Sequence, residues 1–319
     1  VSRSTTIAAI GECMVELSRS SDSPTNEISS PTNLAFGGDS LNTCIYLARL
    51  GVTPSYVTAL GDDPLSLWMA ECWQQEGIDC SQVHHVPGEL PGLYFIETDN
   101  DGERSFHYWR DRAPVKRLLD DPSDVARVLK ALNAVPMIYL SGITLAVLTQ
   151  TSRERLLTWL PEYRKSGGRV AFDNNYRPRL WKSPEEARNA FEMMYGMTDL
   201  ALPTLEDQIA LFGEMSADEV IRDLVSRGVG EIALKQGADG SRVAGDGFNQ
   251  HVPAVATNVV DTTSAGDSFN AGYLASRARG MSQEDAAVVG SNLAAIVIQH
   301  RGAIIPKAIT DSVAAMIPR

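Results

Sequence analysis

The 319-residue chain carries 28 Lys and Arg against 40 Asp and Glu, a formal net charge of −12, with 44% hydrophobic and 21% charged residues. This composition excludes a disordered or fibrous chain, and the length allows one large α/β domain with a smaller appendage. The acidic balance argues against nucleic acid, whose phosphates are bound by accumulated Lys and Arg. It also makes an anionic small molecule look unwelcome.

In chain order, a short apolar run at 6–11 predicts the first strand and is soon interrupted by Glu12. No signal-peptide core follows, and nothing approaches the roughly 20 apolar residues of a membrane span. The expectation is a cytoplasmic protein without a membrane partner. Residues 15–36 are polar and turn-rich. Helical periodicity at 40–50, 65–76, 123–133, 152–165, 184–194 and 217–227 then alternates with candidate strands at 56–61, 137–142, 169–174, 200–203 and 231–237. Gly51, Gly77, Gly167 and Gly228 follow four of these helices, where a left-handed cap is wanted. Such alternation predicts a mainly parallel sheet covered by helices on both faces. After Gly266 the pattern is helical, over 268–279, 283–299 and 308–316.

Two excursions break the rhythm, the polar 15–36 and a second, aromatic one. The aromatic stretches 93–98 and 104–110 flank Asp99-Asn-Asp-Gly102 and read as a hairpin, with Tyr108 and Arg110 on one strand face. A small sheet built from 13–36 and 88–112, standing as a lid on a body of 1–12, 37–87 and 113–319, is the simplest arrangement. The tip from Glu97 to Gly102 imitates the start of a calcium loop, but its twelfth position would be Tyr108 and its flanks are strands. Cys13, Cys44, Cys72 and Cys80 form no C-x-x-C pair, and the five histidines do not supply zinc-ligand spacing, so reduced thiols are expected.

No glycine precedes a lysine, and no G-x-G-x-x-G or G-x-S-x-G occurs, which removes the main support for P-loop, Rossmann and nucleophile-elbow readings. The most informative segment is Val260-Asp261-Thr-Thr-Ser264-Ala265-Gly266-Asp267-Ser-Phe-Asn. Small residues entering a helix leave unpaired amides that can face an anion. Asp267 in that first turn could take the proton of an attacking hydroxyl, or could simply cap the helix. Phe36-Gly37-Gly38-Asp39-Ser-Leu-Asn42 either lets a ligand approach backbone, with Asp39 or Asn42 meeting sugar hydroxyls, or is an ordinary tight turn. Phe172-Asp-Asn-Asn175-Tyr-Arg177-Pro-Arg179-Leu-Trp181 leaves a strand where open α/β sheets collect ligands, and its arginines suit phosphate or carboxylate. A solvated loop is the alternative there. Lys235-Gln-Gly237-Ala-Asp-Gly240 could receive phosphates or form a plain turn.

Taken together, Gly37-Gly38 and Asp261-Thr-x-x-Ala265-Gly266-Asp267 resemble the ribokinase-like (PfkB-type) carbohydrate kinases over essentially the whole chain. Gly11-Glu-Cys-Met-Val-Glu-Leu-Ser18, Pro91-Gly-Leu-Tyr94, Tyr108-Trp-Arg110, the 172–181 stretch and Arg301-Gly-Ala-Ile-Ile-Pro306 resemble the branch that phosphorylates the 6-hydroxyl of 2-dehydro-3-deoxy-D-gluconate. The resemblance implies a ribokinase-like three-layer fold with a β-sheet lid, ATP and Mg²⁺ as cofactors, and a monovalent cation in some members. It implies Asp267 as base, with Ser264, Ala265 and Gly266 forming an anion hole and Ser264 and Gly266 also facing ATP. The sugar acid would lie against Gly37, Gly38, Asn42, Tyr94, Tyr108, Arg110 and Arg177, and ATP near Asn175, Lys235, Gly237 and Gly240. Two departures stand out. Ser264 replaces the family's usual glycine, and the magnesium-associated Asn-x-x-Glu survives only as Pro203-Thr-Leu-Glu206, so no metal ligand is assigned. A neutral-sugar kinase and a non-catalytic sensor on the same fold are the competing readings. An exposed lid edge further predicts a homo-oligomer formed through the lid.

Overall fold

The computed structural model describes residues 7–19, 31–98, 104–245 and 247–318. Strands β1 (Ile7–Ile10), β2 (Met14–Arg19), β3 (Asn33–Gly37), β4 (Pro54–Gly61), β5 (Val83–Val86), β6 (Leu93–Thr98) and β7 (Arg104–Trp109) occupy the first third of the chain. Strands β8 (Met137–Ser141), β9 (Arg169–Asp173), β10 (Leu200–Ala201), β11 (Glu231–Lys235), β12 (Ser241–Gly245) and β13 (Phe248–Val252) follow. Nine of them form one sheet in the order β13-β12-β11-β10-β9-β8-β1-β4-β5, and four form a second sheet, β3-β2-β6-β7.

The large sheet is parallel from β5 to β11, as helix crossovers require, and its two faces are legible in β1. Ile7 and Ala9 pack with helices Asp39–Arg49, Pro64–Glu76, Ala265–Ala278 and Gln283–Val297. Ala8 and Ile10 pack with Pro122–Leu132, Gln150–Lys165, Pro184–Tyr195 and Ala217–Ser226 on the other side. Both faces of the strand are buried, so its sequence is continuously apolar rather than alternating. Gly77 caps its helix in the left-handed region at φ 95°, as expected.

Several elements depart from the expectations. The strand expected at 200–203 is only Leu200–Ala201, ending before Pro203, which has no N–H to give a ladder. The antiparallel pair β12–β13 is an addition to the expected strands. The glycines Gly245 and Gly247, both at positive φ, mark its turn. Helices Gly142–Val147 and Leu205–Phe212 are also additional, each too short to declare a period. The last helix divides into a 3₁₀ turn, Lys307–Thr310, and Asp311–Ala314.

The smaller sheet joins the two excursions. Hairpin partners β2–β3 and β6–β7 are antiparallel, whereas β2 lies parallel to β6, with Glu16 opposite Tyr94. Polar 15–36 therefore begins and ends as strand. The turn expected at 99–102, most of the calcium-like tip and residues 20–30 lie outside the described residues.

Candidate active site

A cavity of about 860 Å³ lies between the C-terminal ends of the large sheet's strands and the small sheet. Met14, Tyr94, Phe106 and Tyr108 line it from the small sheet, while Asp173 at the end of β9 and Asn175 and Arg177 just after it form a second wall. Gly37, Gly38, Asp39 and Asn42 supply another wall, and Lys235 and the segment from Val259 to Asp267 close it.

Local chemistry explains these placements. Helix Asp39–Arg49 starts where Gly38 passes the backbone after β1, and a Cβ on Gly38 would stand 2.1 Å from the Glu12 carbonyl oxygen. A Cβ on Gly37 would meet the Tyr94 hydroxyl at 2.5 Å. The glycine pair thus serves close approach of chain to chain. After β9, Asn174 Nδ2 donates to the Thr204 carbonyl at 3.0 Å and its Oδ1 accepts the Thr204 amide at 2.9 Å, pinning the turn to the end of β10. Asn175 then adopts φ 26°, unusual for a side chain-bearing residue, and its Nδ2 donates to Asp39 Oδ2 at 2.7 Å.

Helix Ala265–Ala278 starts from Ser264 in the left-handed region at φ 64°, with no side-chain cap. The first amides of a helix have no carbonyl one turn back inside it, and the helix dipole adds positive potential there. Asp267 sits in this turn. Its Oδ2 accepts the Asn42 amide at 2.9 Å, and its backbone carbonyl accepts from Thr43 Oγ1 at 3.3 Å. Burial above all, then the negative charge of Asp39, pushes the Asp267 carboxyl up to about 7, while the Asn42 amide works the other way. A carboxyl titrating there can take a proton near neutrality. Asp39 is also raised, chiefly by burial.

Of the residues singled out in the sequence, Gly37, Gly38, Asn42, Tyr94, Tyr108, Arg177, Asn175, Lys235, Ser264, Ala265, Gly266 and Asp267 line this one cavity. Arg110, Gly237 and Gly240 are not among its lining residues. Arg110 is paired with Glu12, which is 2% exposed at its side chain, and its guanidinium lies 5.8 Å from the Tyr108 ring centroid. Arg177 pairs with Asp207 at 3.2 Å. Gly240 has a packing reason of its own, since it sits at φ 89° where a Cβ would be 2.2 Å from the Val252 carbonyl. Glu206 lies beside Gly237, its Oε1 3.9 Å from where a Cβ would be. Sequence reasoning missed Asp207 and Arg301 on the cavity wall. It also missed a buried set behind that wall, Tyr139 and Asn270. Among the described residues no cluster of His, Cys, Asp and Glu could hold a metal by itself.

The family model for pfkB family carbohydrate kinases matches residues 4–310. The chain is a pfkB family carbohydrate kinase. This kinase is 48% identical over 310 residues to the 2-dehydro-3-deoxygluconokinase of Escherichia coli K12, covering 94% of this chain and 97% of that one. Among solved structures, it matches a 2-dehydro-3-deoxygluconokinase of Thermotoga maritima with a TM-score of 0.83 at 19% identity, over 98% and 99% of the two chains. A sugar kinase of Pyrococcus horikoshii in complex with ATP matches with a TM-score of 0.73 at 24% identity, over 93% of each chain. The ribokinase-like α/β fold with its separate small sheet is therefore the kinase fold anticipated from the sequence. No helix among the described residues is long and apolar enough to cross a membrane.

Proposed function

We propose that this kinase transfers the γ-phosphoryl group of ATP to the 6-hydroxyl of 2-dehydro-3-deoxy-D-gluconate. The observation that carries this reading is Asp267, a carboxylate titrating near neutrality at a helix start inside the lidded cavity, in a chain 48% identical to a 2-dehydro-3-deoxygluconokinase.

In this reading Asp267 accepts the 6-hydroxyl proton as the oxygen attacks phosphorus, and Asn42 keeps its carboxylate turned toward the cavity. The helix-start amides of Gly266 and Asp267, with the dipole behind them, meet the charge on the transferring phosphoryl oxygens, while the Ala265 amide is held by the Thr262 carbonyl at 3.2 Å. Tyr94 and Tyr108 from the small sheet cover the sugar and exclude water that would otherwise accept the phosphoryl group. Arg177 is on the cavity wall, half exposed and paired with Asp207 through Nη1 alone, and is the cation assigned to the substrate carboxylate; Arg110, off the wall, is held against buried Glu12. Mg²⁺ takes one or two carboxylates together with phosphate oxygens, and Asp207 and Glu206 beside the Gly237 turn are donors of that kind. The ion supplies charge neutralisation on the phosphates. These cations and amides are local, which is why a net charge of −12 does not bar two anionic ligands from one cleft.

The small sheet also supports the proposed homo-oligomer. The strand register places Leu34, Leu17, Phe95 and Trp109 on the face opposite Tyr94 and Tyr108, and Trp109 is 62% and Leu34 49% exposed. A second copy covering this face would remove both the apolar area and the strand edges from water. Light scattering at micromolar concentration tests this directly, and a monomeric mass would refute it.

The test of the reaction is a coupled ADP-release assay with 2-dehydro-3-deoxygluconate beside gluconate, fructose and ribose. Turnover confined to the keto-deoxy acid is expected. Faster turnover of fructose or ribose would replace the substrate assignment with a neutral-sugar kinase.

A further inference from the structure

Behind the anion hole lies a buried polar group that the reaction above does not use. Asn270, one helical turn beyond Asp267, has no exposure to solvent. Its Oδ1 accepts Lys235 Nζ at 3.0 Å, and its Nδ2 donates to Asp173 Oδ2 at 2.8 Å and lies 3.1 Å from the Tyr139 hydroxyl. The amide orientation is dictated by its neighbours, because a flipped group would set oxygen against a carboxylate and NH₂ against an ammonium.

Lys235 Nζ also donates to Asp173 Oδ1 at 3.1 Å, so the one carboxamide bridges both partners of a buried ion pair. Left alone, an ammonium can centre itself on both oxygens of a carboxylate. Asn270 occupies the second oxygen and holds Lys235 on the first. A lysine ammonium has three donors, and these contacts use two. Lys235 lines the cavity, and its Nζ stands 3.5 Å from where a Cβ on Gly266 would be. Tyr139 extends the cluster to Thr43, whose hydroxyl also reaches the Asp267 carbonyl.

We propose that Asn270 is a positioning residue for phosphoryl transfer, holding the Lys235 ammonium against the Ser264–Gly266 turn so that its free donor faces the transferring phosphate. This inference rests on the kinase reaction proposed above. Its physical content is preorganisation: a charge fixed before the nucleotide arrives needs no rearrangement as the transition state forms.

A double-mutant cycle tests it, using Asn270→Ser, Lys235→Met and the pair. Each protein is assayed for kcat and for KM toward ATP and the sugar acid, and by calorimetry for a non-hydrolysable ATP analogue against ADP. Asn270→Ser is expected to lower kcat by about 10-fold or more, against the roughly 10²–10³-fold range for loss of a direct oxyanion donor. It should leave KM for the sugar acid within about twofold and weaken the analogue more than ADP, as loss of one charged donor at the terminal phosphate requires. In the pair, kcat should equal that of Lys235→Met alone, because Asn270 acts through Lys235. Losses that multiply, or equal weakening of both nucleotides, would overturn the proposal. Should Asn270→Ser not fold, Asn270→Gln keeps both the oxygen for Lys235 and the NH₂ for Asp173 and is expected to retain more kcat than Asn270→Leu; the reverse order counts against the proposal. If the wild-type protein turns over none of the sugars, the substrate reading fails by itself, and the calorimetric comparison still decides the role of Asn270.

Discussion

Replacing Asp267 by Asn should stabilise the protein while abolishing most of its turnover, and the stabilisation should depend on pH in a defined window. The Asp267 carboxyl titrates at about 7 in the fold against 3.8 in its ordinary environment, because burial and Asp39 oppose its charge. Between those values the native state binds more protons than the unfolded chain, so this residue makes stability fall as pH rises from about 4 to 7 and contributes a constant penalty above. At about 1.4 kcal/mol per pH unit the ceiling is about 4 kcal/mol, and solvent in the cavity reduces it to ~1–3 kcal/mol. The carboxamide of the Asp267→Asn variant would keep an oxygen for the Asn42 amide and lose only the charge. For a chain of this size that corresponds to a rise of about 2–6 °C in Tm. Thermal unfolding of both proteins at about pH 4.5 and pH 8 is the assay, with kcat measured in parallel and expected to drop roughly 10²–10⁴-fold. A gap in Tm that is the same at both pH values, or a variant less stable than the parent at the higher pH, would refute the reasoning.

Three further outcomes follow from the same geometry. Asp39→Asn removes the nearest opposing charge, so the acid limb of the kcat/KM profile should move to lower pH; an unmoved limb would show that Asp39 does not set the basicity of Asp267. Gly38→Ala drives a Cβ into the Glu12 carbonyl and should cost about 1–3 kcal/mol in urea unfolding, whereas Gly37→Ala meets only the tip of Tyr94 and should chiefly raise KM for the sugar acid. Arg110→Ala leaves Glu12 buried without its cation and should cost about 3–5 kcal/mol, of which the added change Glu12→Gln restores at least about 1; no restoration would mean that the pair is not what Arg110 stabilises.

How much of this is legible beforehand depends on whether a residue's partners lie nearby in sequence. The parallel sheet follows from strand–helix alternation, and the helix-start turn follows from Ser264-Ala-Gly-Asp267 itself. The hairpin β12–β13 escapes the sequence pattern because, unlike β9 and β11 of the same length, Phe248–Val252 has no apolar run and is exposed at all but its last position. At the site, local motifs are enough to name Asp267 and Lys235, but not to describe their settings. Asn270 looks like an ordinary polar helix residue until β8, β9 and β11 bring Tyr139, Asp173 and Lys235 against it. Arg110 shows the opposite failure. Its expected place on the second hairpin strand suggests a free cation, while in the structure it lies just past β7 and takes as partner Glu12, 98 residues earlier in the chain.

The parallel pairing of β2 with β6 has a consequence for how the small sheet comes into being. Glu16 and Tyr94 are 78 residues apart, so the first hairpin leaves the ribosome long before the second exists. Until then β2 has β3 on one side and a bare edge on the other. Two separated hairpins must find a common register across two intervening helices and two strands, a non-local step in folding. Once formed, the four strands share one continuous hydrogen-bonded ladder, so the two hairpins are joined into a single sheet rather than left as two independent ribbons. A truncation that removed either hairpin would leave the other as an isolated two-stranded ribbon, which is marginal in water.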